Sequence, residues 1–306
     1  MRSLMTLCAL SLALAACSQE TPAAEEEAAA TPLGEPATAD DAPAGAAGED
    51  SASLRLYVLD CGHFEVSDLG VFDRAGAYDG EAGELVDTCY LIRHPNGDLL
   101  WDTGVPDALN VEPDGVTDPP FHVTMAKTLK GQLAELGLAP GDIELLSLSH
   151  SHFDHVGNVS DYAGATWLVE SAERAFMFSD AARANARSFA AYSALESAET
   201  VELDGDWDVF GDASVRIIST PGHTPGHASL LVNLENSGPI LLTGDLYHIT
   251  ESRKNRRIPT FNTDADETLR SMDKFEALAA STGARVVIQH EPDDIAALPK
   301  SPDYLD

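Results

Sequence analysis

The chain has 306 residues and a formal net charge of −33, with 51 acidic and only 18 basic residues. Nucleic-acid binding requires clustered Lys and Arg against the phosphates, so this charge argues against a nucleic-acid partner. It also argues against long-range electrostatic attraction of anionic substrates.

The N-terminus predicts export and a lipid anchor. A short positive start precedes an apolar run, residues 4–15, that is too short to span a membrane. Leu-Ala-Ala-Cys at 14–17 then has the pattern of a bacterial lipoprotein cleavage site. We expect residues 1–16 to be a signal peptide and Cys17 to carry the lipid that reaches the membrane. Ser18 favours the outer membrane, facing the periplasm; a plain secretory signal or an apolar strand are the alternatives.

The next segment differs sharply in composition from the rest of the chain. Residues 17–52 are rich in Ala, Pro and Glu, and they contain almost no large apolar side chain. Such a segment cannot bury enough apolar surface to offset its ordering entropy, which predicts a disordered acidic tether. Residues 53–306 then form one catalytic domain, since no second low-complexity break interrupts them.

Strands and helices alternate along this domain, which indicates an α/β fold. Short apolar or β-branched runs predict the strands, at 54–59, 88–93, 99–102, 143–149, 166–170, 215–219, 230–234, 240–243 and 285–289. Helical patterns predict helices at 124–136, 171–190 and 265–280, the last with Asp264 as N-cap and Gly283 after its end. Cys61 and Cys89 lie in or beside strands, and either a disulfide or two buried thiols is compatible with the sequence.

The run His150-Ser-His152-Phe-Asp154-His155 is the most informative part of the chain. Four possible metal ligands within six residues allow one short loop to serve two neighbouring ions. Neutral imidazole together with carboxylate suits zinc better than calcium or magnesium.

Three more candidate ligands follow, each at the end of an apolar run: His223, Asp245 and His290. Ligands at strand ends have rigid supports and face an open rim, which suits a catalytic metal. His227, four residues after His223, is better explained as a support for the site than as a ligand.

Two further segments have two interpretations each. The aromatic and Met side chains within 172–192 form either the buried face of a helix or an apolar lid over an acyl chain. The basic cluster at 253–257 forms either a salt-bridged structural loop or a substrate-facing loop.

The HxHxDH run, the PGHTPGH segment at 221–227, the TGD at 243–245 and the late His290 together resemble the metallo-β-lactamase-fold superfamily. The resemblance covers residues 54–295 and implies a four-layered αβ/βα sandwich. Within the superfamily the chain looks most like the N-acyl-homoserine lactonases, in its ligand spacings and in the segments 59–62 and 89–95. Asp102-Thr-Gly resembles the family's DTG segment, which implies buried support near the site.

The resemblance also implies how the ligands divide. His150, His152 and His223 would hold one zinc ion, and Asp154, His155 and His290 the second, with Asp245 bridging both. A hydroxide shared by the two ions would attack the lactone carbonyl, and Asp245 could pass its proton to the leaving oxygen. The expected product is an N-acyl-homoserine, which no longer acts as a quorum signal.

One position departs from the lactonase pattern. Many lactonases have a Tyr three residues after the bridging Asp, where this chain has His248, with Tyr247 one residue earlier. Either side chain could donate a hydrogen bond to the substrate, so the catalytic candidates are Asp154, Asp245, Tyr247 and His248. The alternatives to a lactonase are a glyoxalase II-like thioesterase, another ester or β-lactam hydrolase of this fold, a mononuclear-iron sulfur dioxygenase and a non-catalytic binding module.

Overall fold

The structure is a computed structural model that describes residues 53–306. The predicted signal peptide, Cys17 and the predicted tether lie outside the described residues. Across 53–306, none of the helices has the length and apolar character that crossing a membrane requires.

Thirteen strands form two sheets within residues 53–306. In chain order they are β1 (Arg55–Val66), β2 (Gly83–His94), β3 (Gly97–Trp101), β4 (Val116–Asp118), β5 (Phe121–Thr124), β6 (Leu145–Ser147), β7 (Thr166–Glu170), β8 (Thr200–Leu203), β9 (Trp207–Asp208), β10 (Val215–Ser219), β11 (Ala228–Leu234), β12 (Gly238–Leu242) and β13 (Arg285–Val287). The first sheet has the order β4-β5-β1-β2-β3-β6-β7-β8, and the second β13-β12-β11-β10-β9.

Helices pack against both sheets. In the same part of the chain they are α1 (Leu129–Glu135), α2 (Ser171–Met177), α3 (Asp180–Ala184), α4 (Ala186–Tyr192), α5 (Thr250–Asn255), α6 (Ala265–Thr282) and α7 (Pro292–Ala296). The helix α6 begins at Asp264, whose side chain accepts from the Glu267 N–H, and ends at Gly283, which has a φ of 68°.

Three apolar clusters separate the layers. One lies between the sheets and joins Leu56 and Trp101 of the first sheet to Leu230 of the second. A second packs α1 and α2 on the outer face of the first sheet, and a third packs α6 on the outer face of the second. The order helix, sheet, sheet, helix confirms the predicted four-layered αβ/βα sandwich.

The nine predicted strands are confirmed, although the run at 143–149 is a strand only over Leu145–Ser147 and the run at 285–289 only over Arg285–Val287. The predicted helix at 124–136 begins only at Leu129, because Phe121–Thr124 pairs with the first sheet as β5. The predicted helix at 171–190 is three short helices, interrupted near Ser179 and Asn185, whose side chains each accept from the first turn of the next helix. The strands β4, β5, β8 and β9 were not predicted.

The two cysteines of the domain form a disulfide, Cys61–Cys89, which joins β1 to β2. Both residues are fully buried. Cys61 lies where a β-bulge interrupts the register between Asp60 and Gly62. Of the two states that the sequence allowed, the structure has the bridge.

Candidate metal centre

One edge of the sandwich carries all seven predicted ligands. His150, His152, Asp154 and His155 lie in the loop that follows β6 of the first sheet. The other three follow strands of the second sheet: His223 comes after β10, Asp245 after β12 and His290 after β13. The site is therefore assembled from loops of both sheets, each anchored by a buried strand.

His150, His152 and His223 converge on one point. The distance from His152 Nδ1 is 2.8 Å to His150 Nε2 and 3.0 Å to His223 Nε2. Asp245 Oδ2 completes the group, 3.4 Å from Nε2 of both His150 and His223. These four ligand atoms lie close enough together to hold one ion.

Asp154, His155 and His290 form the neighbouring group. The Asp154 carboxylate lies 3.8 Å from His155 Nε2 and 4.0 Å from His290 Nε2. Asp245 Oδ1 lies 3.2 Å from His155 Nε2 and 2.9 Å from His290 Nε2. Asp245 thus turns one oxygen toward each group, which is the arrangement a bridging carboxylate needs.

The donor set fits divalent metal ions. Burial and the neighbouring imidazoles lower the pKa of His150 and of His152 well below its usual value, so both rings are neutral and offer lone pairs. His155 Nε2 is buried and has no hydrogen-bond partner among the described residues, although buried polar atoms are normally paired. A cation bound by His150, His152 and His155 accounts both for the neutral rings and for the His155 nitrogen without a hydrogen-bond partner. Nitrogen together with carboxylate oxygen is a donor set typical of zinc.

The carboxylate at the centre is ionised. Burial raises the pKa of Asp245, but the neighbouring His290, His248 and His155 outweigh it and hold that pKa well below its usual value. Conversely, burial lowers the pKa of His290, but the Asp245 and Asp154 carboxylates outweigh burial and raise that pKa to about 9. The centre therefore concentrates negative charge between imidazoles, as a dication would require.

Hydrogen bonds from a buried layer orient these ligands. Asp102 Oδ2 lies 3.0 Å from His155 Nδ1, which confirms the predicted supporting role of the Asp102-Thr-Gly segment. His227 Nε2 accepts from the Asp245 N–H at 2.9 Å, and His227 is not one of the clustered ligands. This agrees with its predicted supporting role.

Sequence reasoning missed Gln289 in this layer. Its side-chain amide donates to Asp102 Oδ2 and its carbonyl accepts from the Gly244 N–H, both at 3.0 Å. Its position directly before His290 was the available clue.

The side chains of Tyr247 and His248, the two catalytic candidates after Asp245, point in opposite directions. The Tyr247 hydroxyl donates to Glu276 of α6 at 3.1 Å, and its ring packs against Phe275. The Tyr247 side chain points into the apolar cluster behind the site, which favours His248 over Tyr247 as the side chain beside a substrate. His248 faces the opposite way, with Nε2 3.1 Å from Asp245 Oδ2.

The basic cluster at 253–257 is a salt-bridged structural loop. Arg253 pairs with Glu276 at 2.8 Å, Arg256 with Asp273 at 2.8 Å, and Arg257 with Asp73 at 3.4 Å. Lys254 pairs with Glu251 within α5. These ion pairs direct the cations to the protein itself, which favours the structural interpretation.

A cavity of about 330 Å³ opens beside the metal cluster. Its ligand side is formed by His152, Asp154, Asp245, His248 and His290, and its opposite wall is almost entirely aromatic. The apolar wall consists of Phe64, Phe72, Leu85, Phe121, Phe153 and Phe261. Sequence reasoning missed this wall, because its members are separated along the chain and meet only in the folded protein.

The aromatic segment at 172–192 does not contribute to the cavity. Met177 and Tyr192 are buried, and Phe178 and Phe189 pack against them on the outer face of the first sheet. Phe176 is exposed but is not among the residues that line the cavity. This segment is the buried face of helices, and the lid interpretation is wrong.

Comparisons with known proteins agree with this geometry. The sequence profile of the metallo-beta-lactamase superfamily matches residues 82–290. The N-acyl homoserine lactonase AttM of Azorhizobium caulinodans is 31% identical, over 83% of this chain and 99% of its own length. An N-acyl homoserine lactonase from a Bacillus species is 29% identical, over 73% of this chain and 89% of its own length.

Two solved structures share the fold. One is an N-acyl homoserine lactone hydrolase with the product N-hexanoyl-L-homoserine bound at its catalytic metal centre. Its TM-score is 0.68 at 23% identity, with 83% of this chain and all of the other covered. The other is AidC, a dizinc quorum-quenching lactonase, with a TM-score of 0.60 at 19% identity over 78% of this chain and 88% of its own.

Proposed function

The chain belongs to the metallo-beta-lactamase superfamily, and on that premise we propose that it hydrolyses the lactone ring of N-acyl-homoserine lactones. The observation that carries the proposal is Asp245, which turns one oxygen to each of two ligand groups at the floor of an apolar cavity. The polar floor suits the lactone ring, and the aromatic wall suits a fatty acyl chain. The lactonases among its relatives support this choice of substrate.

We propose that the two groups hold two zinc ions. His150, His152 and His223 would hold the first, Asp154, His155 and His290 the second, and Asp245 both. When bound, such ions polarise an ester carbonyl and lower the pKa of a shared water into the neutral range.

The protein's own residues would do the rest of the work. Asp245 can accept a proton from the attacking water and return it to the ring oxygen as the C–O bond breaks, so the reaction consumes one water and needs no other reagent. His248 lies at the cavity surface and can donate a hydrogen bond to the carbonyl oxygen, where negative charge develops. The aromatic wall excludes bulk water from the acyl side of the substrate.

Ring opening by the purified zinc-loaded protein tests this proposal. N-acyl-homoserine lactones, a glutathione thioester and a β-lactam would be compared under the same conditions, with proton release as the readout. We expect lactone turnover to exceed both alternatives and to be lost in Asp245→Asn, which keeps the size of the side chain but removes its charge. A preference for the thioester or the β-lactam would overturn the substrate assignment.

We also propose that the protein is an envelope lipoprotein, anchored through Cys17 in the outer membrane and facing the periplasm. The apolar run at 4–15 and the Leu-Ala-Ala-Cys pattern support export. The Cys61–Cys89 disulfide is an independent argument, since such bonds persist in oxidising compartments. Labelling cells with an alkyne fatty acid should mark the wild-type protein and not Cys17→Ser; equal labelling would contradict the anchor.

A further inference from the structure

The three-histidine group joins loops from different sheets, so something must fix the distance between them. His150 and His152 follow β6 of the first sheet, whereas His223 lies in the turn between β10 and β11 of the second. One backbone hydrogen bond crosses between the sheets here, from the Ala228 N–H to the Ser149 carbonyl at 2.8 Å, and it joins residues at the edges of the two ligand segments, not the turns between the ligands. Metal geometry nevertheless tolerates displacements of only a few tenths of an ångström.

One buried carboxylate bonds to both loops. Glu173, in helix α2, has 2% of its surface exposed. Its Oε1 accepts from the Ser151 N–H at 2.9 Å and from the Ser151 hydroxyl at 2.6 Å. Its Oε2 accepts from the Gly226 N–H at 2.9 Å. Ser151 lies between His150 and His152, and Gly226 lies three residues after His223.

The His223 turn packs closely against α2 at Gly226. A Cβ at Gly226 would lie 2.3 Å from the Glu173 backbone nitrogen, so the turn rests directly on the first half of α2. The backbone of α2 contacts the His223 turn at Gly226, and the Glu173 carboxylate bonds both to this turn and to the His150–His152 loop. Glu173 thus links the two loops through its two oxygens.

We infer that Glu173 is a positioning residue for the three-histidine metal site. Together with the Ala228–Ser149 backbone bond, its carboxylate would fix the separation between the His150–His152 loop and the His223 turn, and so the affinity and geometry of one ion and not the other. A buried carboxylate is costly unless it is fully hydrogen-bonded, and here three donors satisfy it. All three donors belong to the ligand loops, and for this reason we assign a positioning role to the Glu173 carboxylate.

Glu173→Gln is the sharpest variant, because it preserves size and leaves only one accepting oxygen for three donors. Zinc affinity would be measured by chelator competition in two backgrounds. His290→Ala impairs the second group and leaves the three-histidine group; His223→Ala does the reverse. We expect Glu173→Gln to weaken zinc binding about 10- to 100-fold in the first background and to leave the second unchanged.

The visible absorption of the cobalt-substituted protein gives a second readout, since it reports ligand geometry. Glu173→Gln should change the spectrum in the His290→Ala background only. The matched control is Glu170→Gln, three residues earlier and also largely buried, whose carboxylate bonds to Gly205 and to Ser219 at the end of β10, and to neither ligand loop. It should leave both affinities and both spectra unchanged.

A milder variant keeps the inference testable if Glu173→Gln does not fold. Ser151→Ala removes only the 2.6 Å hydrogen bond from the Ser151 hydroxyl to Glu173. It should weaken zinc binding in the His290→Ala background by a smaller factor. Equal loss at both groups, or no loss at either, would overturn the inference. The inference depends on the proposed function only through the metal site, and zinc binding is measured without substrate, so a failure of lactone hydrolysis would not be mistaken for its failure.

Discussion

At the residue scale, the centre depends on one side chain that faces two ways. Asp245 contacts imidazoles of both groups through different oxygens, and its backbone N–H is held by His227. Its backbone is therefore fixed by a hydrogen bond that it donates to the same turn that supplies His223. A residue held in this manner can bridge two ions without having to reorganise during the reaction.

His248→Ala tests the residue that we place beside the substrate. We expect kcat to fall about 10²- to 10³-fold, the usual cost of losing a donor at a developing oxyanion. Tyr247→Phe, its neighbour, loses only the hydroxyl bond to Glu276 and should leave kcat unchanged while costing about 1 kcal/mol of stability. Steady-state kinetics would be combined with zinc analysis, so that metal loss is not mistaken for loss of the donor. An unchanged kcat in His248→Ala would remove this role.

At the element scale, the substrate cavity is built from side chains of several unconnected segments. Phe64 of β1 packs edge-to-face on Phe121 of β5, with ring centroids 5.9 Å apart, and Phe72 packs on Phe261 at 5.8 Å. Phe153 extends the same wall from within the metal-binding loop itself. Each ring thus supports another, and Phe64, Phe72 and Leu85 also belong to one apolar cluster of buried side chains.

Phe261→Ala should separate long from short acyl substrates. Phe261 is 41% exposed at the cavity, with its ring centroid 5.5 Å from that of His248. Losing the contact between Phe261 and the acyl chain should cost about 1.5 kcal/mol or more of binding free energy, so kcat/KM for long-chain lactones should fall about tenfold or more. Short-chain substrates should change less.

Phe176→Ala is the matched control for this prediction. Phe176 is 42% exposed and so equally accessible, but it lies on α2 away from the cavity. We expect it to affect neither substrate. Chain-length dependence in Phe176→Ala but not in Phe261→Ala would show that the acyl chain binds elsewhere.

The disulfide is the second feature that belongs to this scale. It joins two cysteines that are 28 residues apart in the sequence, one in β1 and the other in β2, and so closes a loop. On the chain-entropy model, a loop of that length contributes about 3–4 kcal/mol. The double variant Cys61→Ala/Cys89→Ala should therefore unfold at a clearly lower urea concentration than the wild type. A coincident midpoint would mean that the bridge adds nothing beyond the strand pairing.

At the scale of the whole molecule, the metal centre joins the two halves of the sandwich. Four candidate ligands come from the first sheet's loop and three from the loops of the second. Away from the ligands the sheets meet through an apolar core and a few buried hydrogen bonds, such as those of Gln289 with Trp101 and Asp102, which fix their separation less strictly than coordinate bonds do. Metal binding should therefore stabilise the fold as well as the site.

Chelation tests this consequence. At a free zinc concentration 1,000 times Kd, binding contributes about 4 kcal/mol, and a domain of this size shifts by about 2–4 °C per kcal/mol. Removing zinc should lower the melting temperature by about 10 °C in a calorimetric scan. The double variant His223→Ala/His290→Ala should show no such shift when the chelator is added. A wild-type protein that melts at the same temperature with and without chelator would refute the coupling.

The sequence alone determined the features that depend on neighbouring residues. The HxHxDH spacing is local, so four candidate ligands could be placed in one loop before any fold was known. The α/β class, the nine strands and both ends of α6 follow from periodicity and capping, which are also local. His223, Asp245 and His290 could be added because each lies within a few residues of the end of a strand that the sequence predicts.

Only the tertiary structure decided the features that depend on direction or on distant partners. Tyr247 and His248 are adjacent, yet one points into the core and the other into the cavity, because the backbone after β12 sets their directions. The stripe at 172–192 indicated a buried face but not what it packs against. Glu173, Gln289 and the aromatic wall act on residues far away in sequence. Such contacts arise from the packing of two sheets, which no local pattern encodes.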